Sequence, residues 1–288
     1  LLIQRALEVP FISYADHLFN DRAVALPSPP DNNGTLASET RSIAMKHGWA
    51  WKIPLTNRYG NGYVYSSDYC DAEQAESELR ELTGIHDKSV EARHLKMRVG
   101  RVARSWDRNC LSVGLSQGFI EPLEATALMT VQETLEWFIE QYEKDDFTDR
   151  GRDSLNHRLN GLFDGIRDYV YMHFKLNSRS DTRYWNDCRQ TQLPSVVVKD
   201  ILTTWDAGGD MVELLNGNGD KLVYSPTSWA CILAGMGRFR PSPRRVRGTY
   251  IDPKIIRQHC EQLLPYFPDH LKVIQGMNAD AQDAATAP

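Results

Sequence analysis

Ser112-Val-Gly-Leu-Ser-Gln-Gly-Phe-Ile-Glu-Pro-Leu-Glu-Ala-Thr126 is the stretch at which the chain changes its period. Before it, Arg22 to Leu26 alternates and Tyr63-Val64-Tyr65 is aromatic and β-branched, both marks of strands. After it, Leu123, Ala127, Val131, Leu135 and Phe138 recur at helical spacing. A long helix is therefore predicted from Pro122 to about Lys144, with proline in its first turn. Within the stretch a strand ends, Gly114 and Gly118 let the backbone approach something closely, and a helix starts. Exposed amides at such a start form a ready anion site. Glu121 and Glu124 stand in the same turn, where the helix dipole favours negative charge; ordinary first-turn acidity accounts for both.

Upstream, strands are read at Val9 to Ile12, Arg22 to Leu26, Arg41 to Pro54, Met97 to Val102 and Cys110 to Leu115. A Gly60-Asn61-Gly62 hairpin turn is read ahead of Tyr63 to Tyr65, and a short helix from Ala72 to Thr83, closed by Gly84. Downstream, helices are read at Asp153 to Phe174, Val196 to Trp205, around Trp229 to Ala234, and Pro253 to Phe267. The result is an α+β fold, a mixed β-sheet followed by a mainly helical section. The expected division is residues 1–145, then a helical domain at 146–277, then an Ala/Asp-rich disordered tail at 278–288. The chain opens inside an element, at Leu1-Leu2-Ile3, so its true start is expected upstream.

Apolar residues make up 41% and charged residues 25% of 288 positions, the balance of a soluble globular protein. A net charge of -5 argues against nucleic-acid or anionic-membrane binding, both of which need a basic surface. No apolar stretch approaches the ~20 residues that span a bilayer, and no secretory leader is read, so the expected location is the cytoplasm. The five cysteines include no CxxC pair and the eight histidines no HExxH. Buried free thiols are expected rather than a disulfide framework or a metal site. His173, alone in an apolar helical stretch, is read as structural, and the Asn33-Gly34-Thr35 sequon carries little weight.

Three GxG patterns, at Gly60, Gly217 and Gly235, lack the third glycine of a dinucleotide fingerprint. Gly114-Leu115-Ser116-Gln117-Gly118 satisfies GxSxG, which leaves a serine hydrolase using Ser116 as a minority alternative. Against it, the helix starts at Pro122, no HGG-type loop precedes, and the βαβα alternation is missing. Arg238 to Arg247, with five arginines and two prolines, reads as a solvated basic loop, with docking of an acidic carrier domain or reductase as the alternative.

Gly48-Trp49-Ala50-Trp51-Lys52-Ile53-Pro54 places two tryptophans on one face of a strand. It matches WxWxIP, and with the downstream Phe119-Ile-Glu-Pro-Leu-Glu-Ala-Thr126 it makes a two-part match about 70 residues apart. On these residues the chain resembles the flavin-dependent halogenases of the tryptophan-halogenase family. Likeness extends through Leu1 to Ile12, Asp21 to Ala25, Tyr59 to Ser66 and Cys231 to Gly237, strongest before Trp137 and patchy after Asp145.

The resemblance implies a flavin-monooxygenase-like fold of which this chain is the C-terminal part. The N-terminal GxGxxG βαβ unit that holds the FAD phosphates, and the family's catalytic lysine, are expected upstream, so Lys52 and Lys96 are not promoted in its place. It implies reduced FAD supplied by a flavin reductase, oxygen, and chloride or bromide, from which hypohalous acid forms and halogenates a small electron-rich aromatic such as tryptophan or another indole. Carried over by position, Glu124 is the catalytic glutamate, and the amides of Thr126 and Ala127 hold the halide. Leu115, Gly118 and Leu128 pack near the flavin ring. Trp49, Trp51, Ile53 and Pro54 form the motif associated with shielding it. Ala125 stands where many members have Ser, and Ala127 where Gly or Ser is usual. Tryptophan-specific members carry a run of aromatics where Val212 to Trp229 offers Glu213, Tyr224 and Trp229; Tyr224 and Trp229 sandwich the substrate or else pack the helical section. A flavin-dependent aromatic monooxygenase and a non-catalytic fragment are the alternatives, and a homodimer is left open.

Overall fold

In the computed structural model, which describes residues 2–30, 37–217, 223–239 and 252–277, alternation of side chains sets the first layers. The chain runs through α1 (Leu2–Arg5), β1 (Phe11–Ser13), β2 (Arg22–Ser28), β3 (Arg41–Ala44), β4 (Gly48–Pro54) and β5 (Tyr59–Tyr65). Then come α2 (Ala72–Thr83), β6 (Arg93–Lys96), β7 (Gly100–Val102), β8 (Trp106–Asp107), β9 (Cys110–Leu111) and β10 (Gly118–Phe119). The helical section is α3 (Ala127–Lys144), α4 (Arg152–Lys175), α5 (Arg183–Gln190), α6 (Val196–Asp206), α7 (Met211–Gly217), α8 (Pro226–Gly235) and α9 (Pro253–Leu263). Asn33 to Thr35, Asn218 and Gly219, Arg240 to Arg247 and the 278–288 tail lie outside the described residues.

Five strands form one sheet in the order β3-β4-β5-β2-β6. Val24, Leu26, Ala50, Tyr63 and Tyr65 point to one face, where Cys70, Ala75 and Leu79 around α2 cover them. Ala23, Trp49 and Val64 point to the other and join the main core with α4, α5, α6 and α8. The sheet is thus buried on both sides, and the main core draws on residues before and after 145. The α2 boundaries match the sequence reading because its signals are local: the Asp71 side chain accepts from the Gln74 amide, and Gly84 closes the helix in the left-handed region.

Several expectations are corrected. Every strand pairing among the described residues is antiparallel, where a mixed sheet was expected. Short turns join β3 to β4 and β4 to β5, and a parallel pair would need a longer crossover. The Gly60-Asn61-Gly62 segment is strand, not turn; the hairpin closes at Leu55, whose amide donates to the Arg58 carbonyl at 2.8 Å. Gly62 is needed because the Trp51 ring lies over it: a Cβ there would stand 2.0 Å from Trp51 Cζ2. The helix predicted from Pro122 begins at Ala127, after a separate 3₁₀ turn at Pro122–Glu124. Of the cysteines expected to be buried, Cys231 and Cys260 are exposed, and all five are free.

Helix α4 is a 24-residue helix with half of its residues buried. Its polar residues recur every fourth position along one ridge. Asn156 bonds both the amide and the carbonyl of Trp106, and Asn160 donates to the Ala103 carbonyl. Asp164 takes a two-pronged bond from Arg101 and a third from the Tyr14 hydroxyl. Asp168 accepts from Arg167 and Ser195. Residues 101–106 are laid antiparallel along the helix by these bonds. Among the described residues no helix is long and apolar enough to cross a membrane.

Gly62→Ala is expected to destabilise the fold by about 1–3 kcal/mol, since Trp51 has nowhere to move without leaving the core. Urea unfolding checks this, and an unchanged midpoint would show that the ring is not held against the strand.

Candidate active site

Between β9 and α3, on either side of β10, the chain makes two tight reversals. A 3₁₀ turn at Gly114–Ser116, with Gly114 at φ 61°, presents Leu115 outward. Ser116 is tied into that turn: its hydroxyl accepts from the Val113 amide at 3.0 Å and donates to the Val113 carbonyl at 2.8 Å. Among the described residues no histidine bonds to it, so the geometry offers nothing to a serine nucleophile. The second reversal is the Pro122–Glu124 turn. It ends at Ala125 with φ 53° and ψ 32°, a left-handed conformation that costs a side-chain-bearing residue about 1–2 kcal/mol. Thr126 follows as the N-cap of α3, and the first amides of that helix have no helical partner.

These reversals enclose a cavity of about 180 Å³ lined by Leu115, Gly118, Thr126, Ala127 and Leu128, closed below by Phe163 and Ile166 of α4. The five residues that the sequence assigned to flavin and halide are therefore neighbours. Leu115 and Leu128 are 74% and 82% exposed at the mouth, an apolar rim beside unpartnered amides. That combination fits the edge of a flat apolar ring with a small anion alongside it. Gly118 has no freedom to be anything larger, because a Cβ would meet the Gly100 carbonyl oxygen and Phe163 Cε1 at 2.7 Å.

The two glutamates that looked alike in the sequence part company. Glu124 faces His173, whose Nε2 lies 2.9 Å from Oε1, both side chains being partly exposed. His173 Nδ1 lies 3.1 Å from the Tyr169 carbonyl, a group that only accepts, so Nδ1 carries a hydrogen. Sequence reasoning read His173 as structural and missed this pairing; the available signal was its place on the same helix face as Ile166. Seven residues separate the two, about 10 Å of helix, so one face of α4 leads from the cavity to Glu124. Glu121 is instead fully buried, with Oε2 accepting from Trp49 Nε1 at 2.6 Å and Asn20 Nδ2 at 2.8 Å. Burial pushes its pKa up to about 7, against the pull of those two bonds and of nearby His173. Because the folded protein holds this proton more tightly than an unfolded chain, stability from this group falls as pH rises from the ordinary carboxylate range to about 7.

The remaining candidates stand outside the lining of this cavity. Trp49 and Trp51 have ring centroids 6.0 Å apart; neither is among the cavity's lining residues. Ile53 is partly exposed at the end of β4, and Pro54 faces a different depression, beside Leu55 and His270. Tyr224 stacks on Tyr169 at 3.6 Å, and Trp229 meets the same ring edge-on at 4.9 Å. Tyr169 thus occupies the space against both. Burial and then the Glu124 carboxylate push Tyr169 up to about 12, so this aromatic cluster borders Glu124. The Tyr224 hydroxyl and Trp229 Nε1 are buried without a hydrogen-bond partner among the described residues.

The chain belongs to the tryptophan halogenase family, whose sequence profile matches residues 1–248. Tryptophan 6-halogenase SttH of Streptomyces toxytricini is 39% identical over 249 residues, 84% of this chain and 46% of that protein. The 7-chloro-L-tryptophan 6-halogenase KtzR of Kutzneria sp. (strain 744) is 35% identical over 285 residues, 96% of this chain and 54% of that one. The crystal structure of SttH superposes with a TM-score of 0.82 at 35% identity, covering 95% of this chain and 55% of its own. BrvH, a flavin-dependent halogenase from Brevundimonas sp. BAL3, gives 0.78 at 29% identity, covering 96% and 56%. The chain spans about half the length of the curated relatives it matches.

The His173 geometry predicts a hydrogen on Nδ1. In ¹⁵N spectra of selectively labelled protein, that nitrogen should read as protonated; an unprotonated Nδ1 would remove the donor to Tyr169.

Proposed function

We propose that the protein carrying this chain performs FAD-dependent chlorination or bromination of an electron-rich aromatic, tryptophan or another indole, with Glu124 beside the substrate. The observation that carries this reading is the enclosure of Leu115, Gly118, Thr126, Ala127 and Leu128 around one cavity, joined by a face of α4 to the Glu124–His173 pair. The relatives, a tryptophan 6-halogenase and a 7-chloro-L-tryptophan 6-halogenase, support tryptophan as the first substrate to try.

When bound, reduced FAD with dioxygen supplies the oxidising equivalent that converts halide into an electrophilic halogen. In this reading the chain's own residues bind, orient and move a proton. Leu115, Gly118 and Leu128 offer the ring an apolar edge, and the first amides of α3, at Thr126 and Ala127, hold the halide through backbone donors. Replacement of an aromatic C–H by C–halogen releases one proton, and in this reading the Glu124 carboxylate accepts it. His173, fixed by its bond to the Tyr169 carbonyl, keeps Oε1 of Glu124 aimed. Trp49 and Trp51, which do not line the cavity, are assigned by the resemblance alone to shielding the flavin, which favours halogenation over direct hydroxylation. A flavin reductase is the proposed source of reduced FAD.

The test uses the complete protein with a flavin reductase, FAD, oxygen, chloride or bromide, and a panel of indoles and phenols. A product with the halogen isotope doublet is expected; a product heavier by one oxygen would make it a hydroxylase, and no product would sink the reading. Glu124→Gln is expected to lower halogenated product by about 100-fold or more while flavin oxidation continues. Retained halogenation would remove Glu124 from the chemistry.

A further inference from the structure

Glu121 is fully buried, and none of the steps above uses it. Its Oε2 holds Trp49 Nε1 and Asn20 Nδ2, and Asn20 Oδ1 in turn accepts from the Tyr184 hydroxyl at 2.9 Å. Asn20 and Tyr184 are themselves completely buried. The other carboxylate oxygen, Oε1, has no partner among the described residues. A buried carboxylate with half its acceptor capacity unused is a poor way to gain stability. What the arrangement does secure is position. Trp49 lies in β4, in the first of the two motifs, and Glu121 is three residues ahead of Glu124 in the second. The Pro122–Glu124 turn leaves little slack between Glu121 and Glu124, and left-handed Ala125 follows directly.

We propose that Glu121 is a positioning residue, a buried clamp that fixes the Trp49 indole of the first motif to the turn that carries Glu124 and the first amides of α3. The two motifs then act as one unit, and a shift of Trp49 is transmitted to the halide and substrate ends of the site. This rests on the halogenase reading for its activity measurements but not for its spectroscopic one. The titratable groups facing Glu121 are His173 from α4 and Tyr184 and Cys188 from α5; Tyr184 and Cys188 are both pushed up by burial and stay neutral where Glu121 titrates. The Trp49 indole N–H donates more strongly to an ionised acceptor than to a neutral one, so its proton resonance reports the state of the clamp.

The experiment compares wild type, Trp49→Phe, Glu121→Gln and the double variant as complete proteins, reading halogenated product per flavin oxidised. Each single variant is expected to lower that ratio about tenfold or more, the scale of a small misplacement of reacting groups. The double variant should be no worse than the worse single one, because both break the same link. An unchanged ratio in Trp49→Phe overturns the proposal, as do losses that multiply in the double variant. Should Glu121→Gln fail to fold, the wild-type titration takes its place, with Trp49 assigned by its loss in Trp49→Phe. A Trp49 indole resonance moving with a midpoint near pH 7 supports the clamp, and one that stays flat overturns it. Wild type that makes no halogenated product overturns the halogenase reading instead, and the titration still decides the clamp.

Discussion

A long helix can be buried only if its polar side chains are given partners, and that constraint organises this protein. Asn156, Asn160, Asp164 and Asp168 form a ridge on α4, and each left unpaired would cost more than a single exposed bond returns. Their partners are the backbone of Trp106 and Ala103, the Arg101 guanidinium and Tyr14, and Ser195. Meeting these needs pins residues 101–106 along the helix and brings β7 within reach of β10. The cavity then forms where β10 leaves that contact, floored by Phe163 and Ile166 of the same helix. One further turn or two of α4 bring Tyr169 and His173 to Glu124. The scaffold and the site are thus read from successive faces of one element.

Two carboxylates three residues apart have opposite surroundings. Glu124 is reached by solvent and by an imidazole, whereas Glu121 is closed off among Trp49, Asn20 and Tyr184. The divergence arises in the backbone. Glu121 is extended, at φ -52° and ψ 142°, and the left-handed Ala125 turns the chain before α3 begins. A regular helix from Pro122 would have placed both on adjacent positions of one exposed turn.

What the sequence revealed, and what it hid, follows the range of the interactions involved. The faces of β4 were legible because period two is a property of the strand alone, and α2 because Asp71 and Gly84 cap it locally. The neighbourhood of Leu115, Gly118, Thr126, Ala127 and Leu128 was legible as a resemblance, since all lie within fourteen residues. The role of Gly62 was misread as a turn because the demand for glycine comes from Trp51 on the neighbouring strand. The burial of Glu121 depends on Asn20 and Trp49, 101 and 72 residues away, and the pairing of His173 on a glutamate from another element. Tyr224 and Trp229 could be nominated, but the Tyr169 ring packed against both belongs to α4 and left no trace in their spacing.

A sheet that is apolar on both faces carries a hazard at its rims, where unpaired backbone can recruit a strand from another molecule. Here the outer strands are β3 and β6, each four residues long. Arg41 stands on one rim, and Arg93 and Lys96 on the other, all exposed. Brevity leaves few bonds to offer, and the cations repel a like strand before those bonds can form. The long strands β4, β5 and β2, which carry the tryptophan motif and its partners, are shut inside. At the high concentrations of a crowded cell, this distribution guards the chain against edge-to-edge polymerisation.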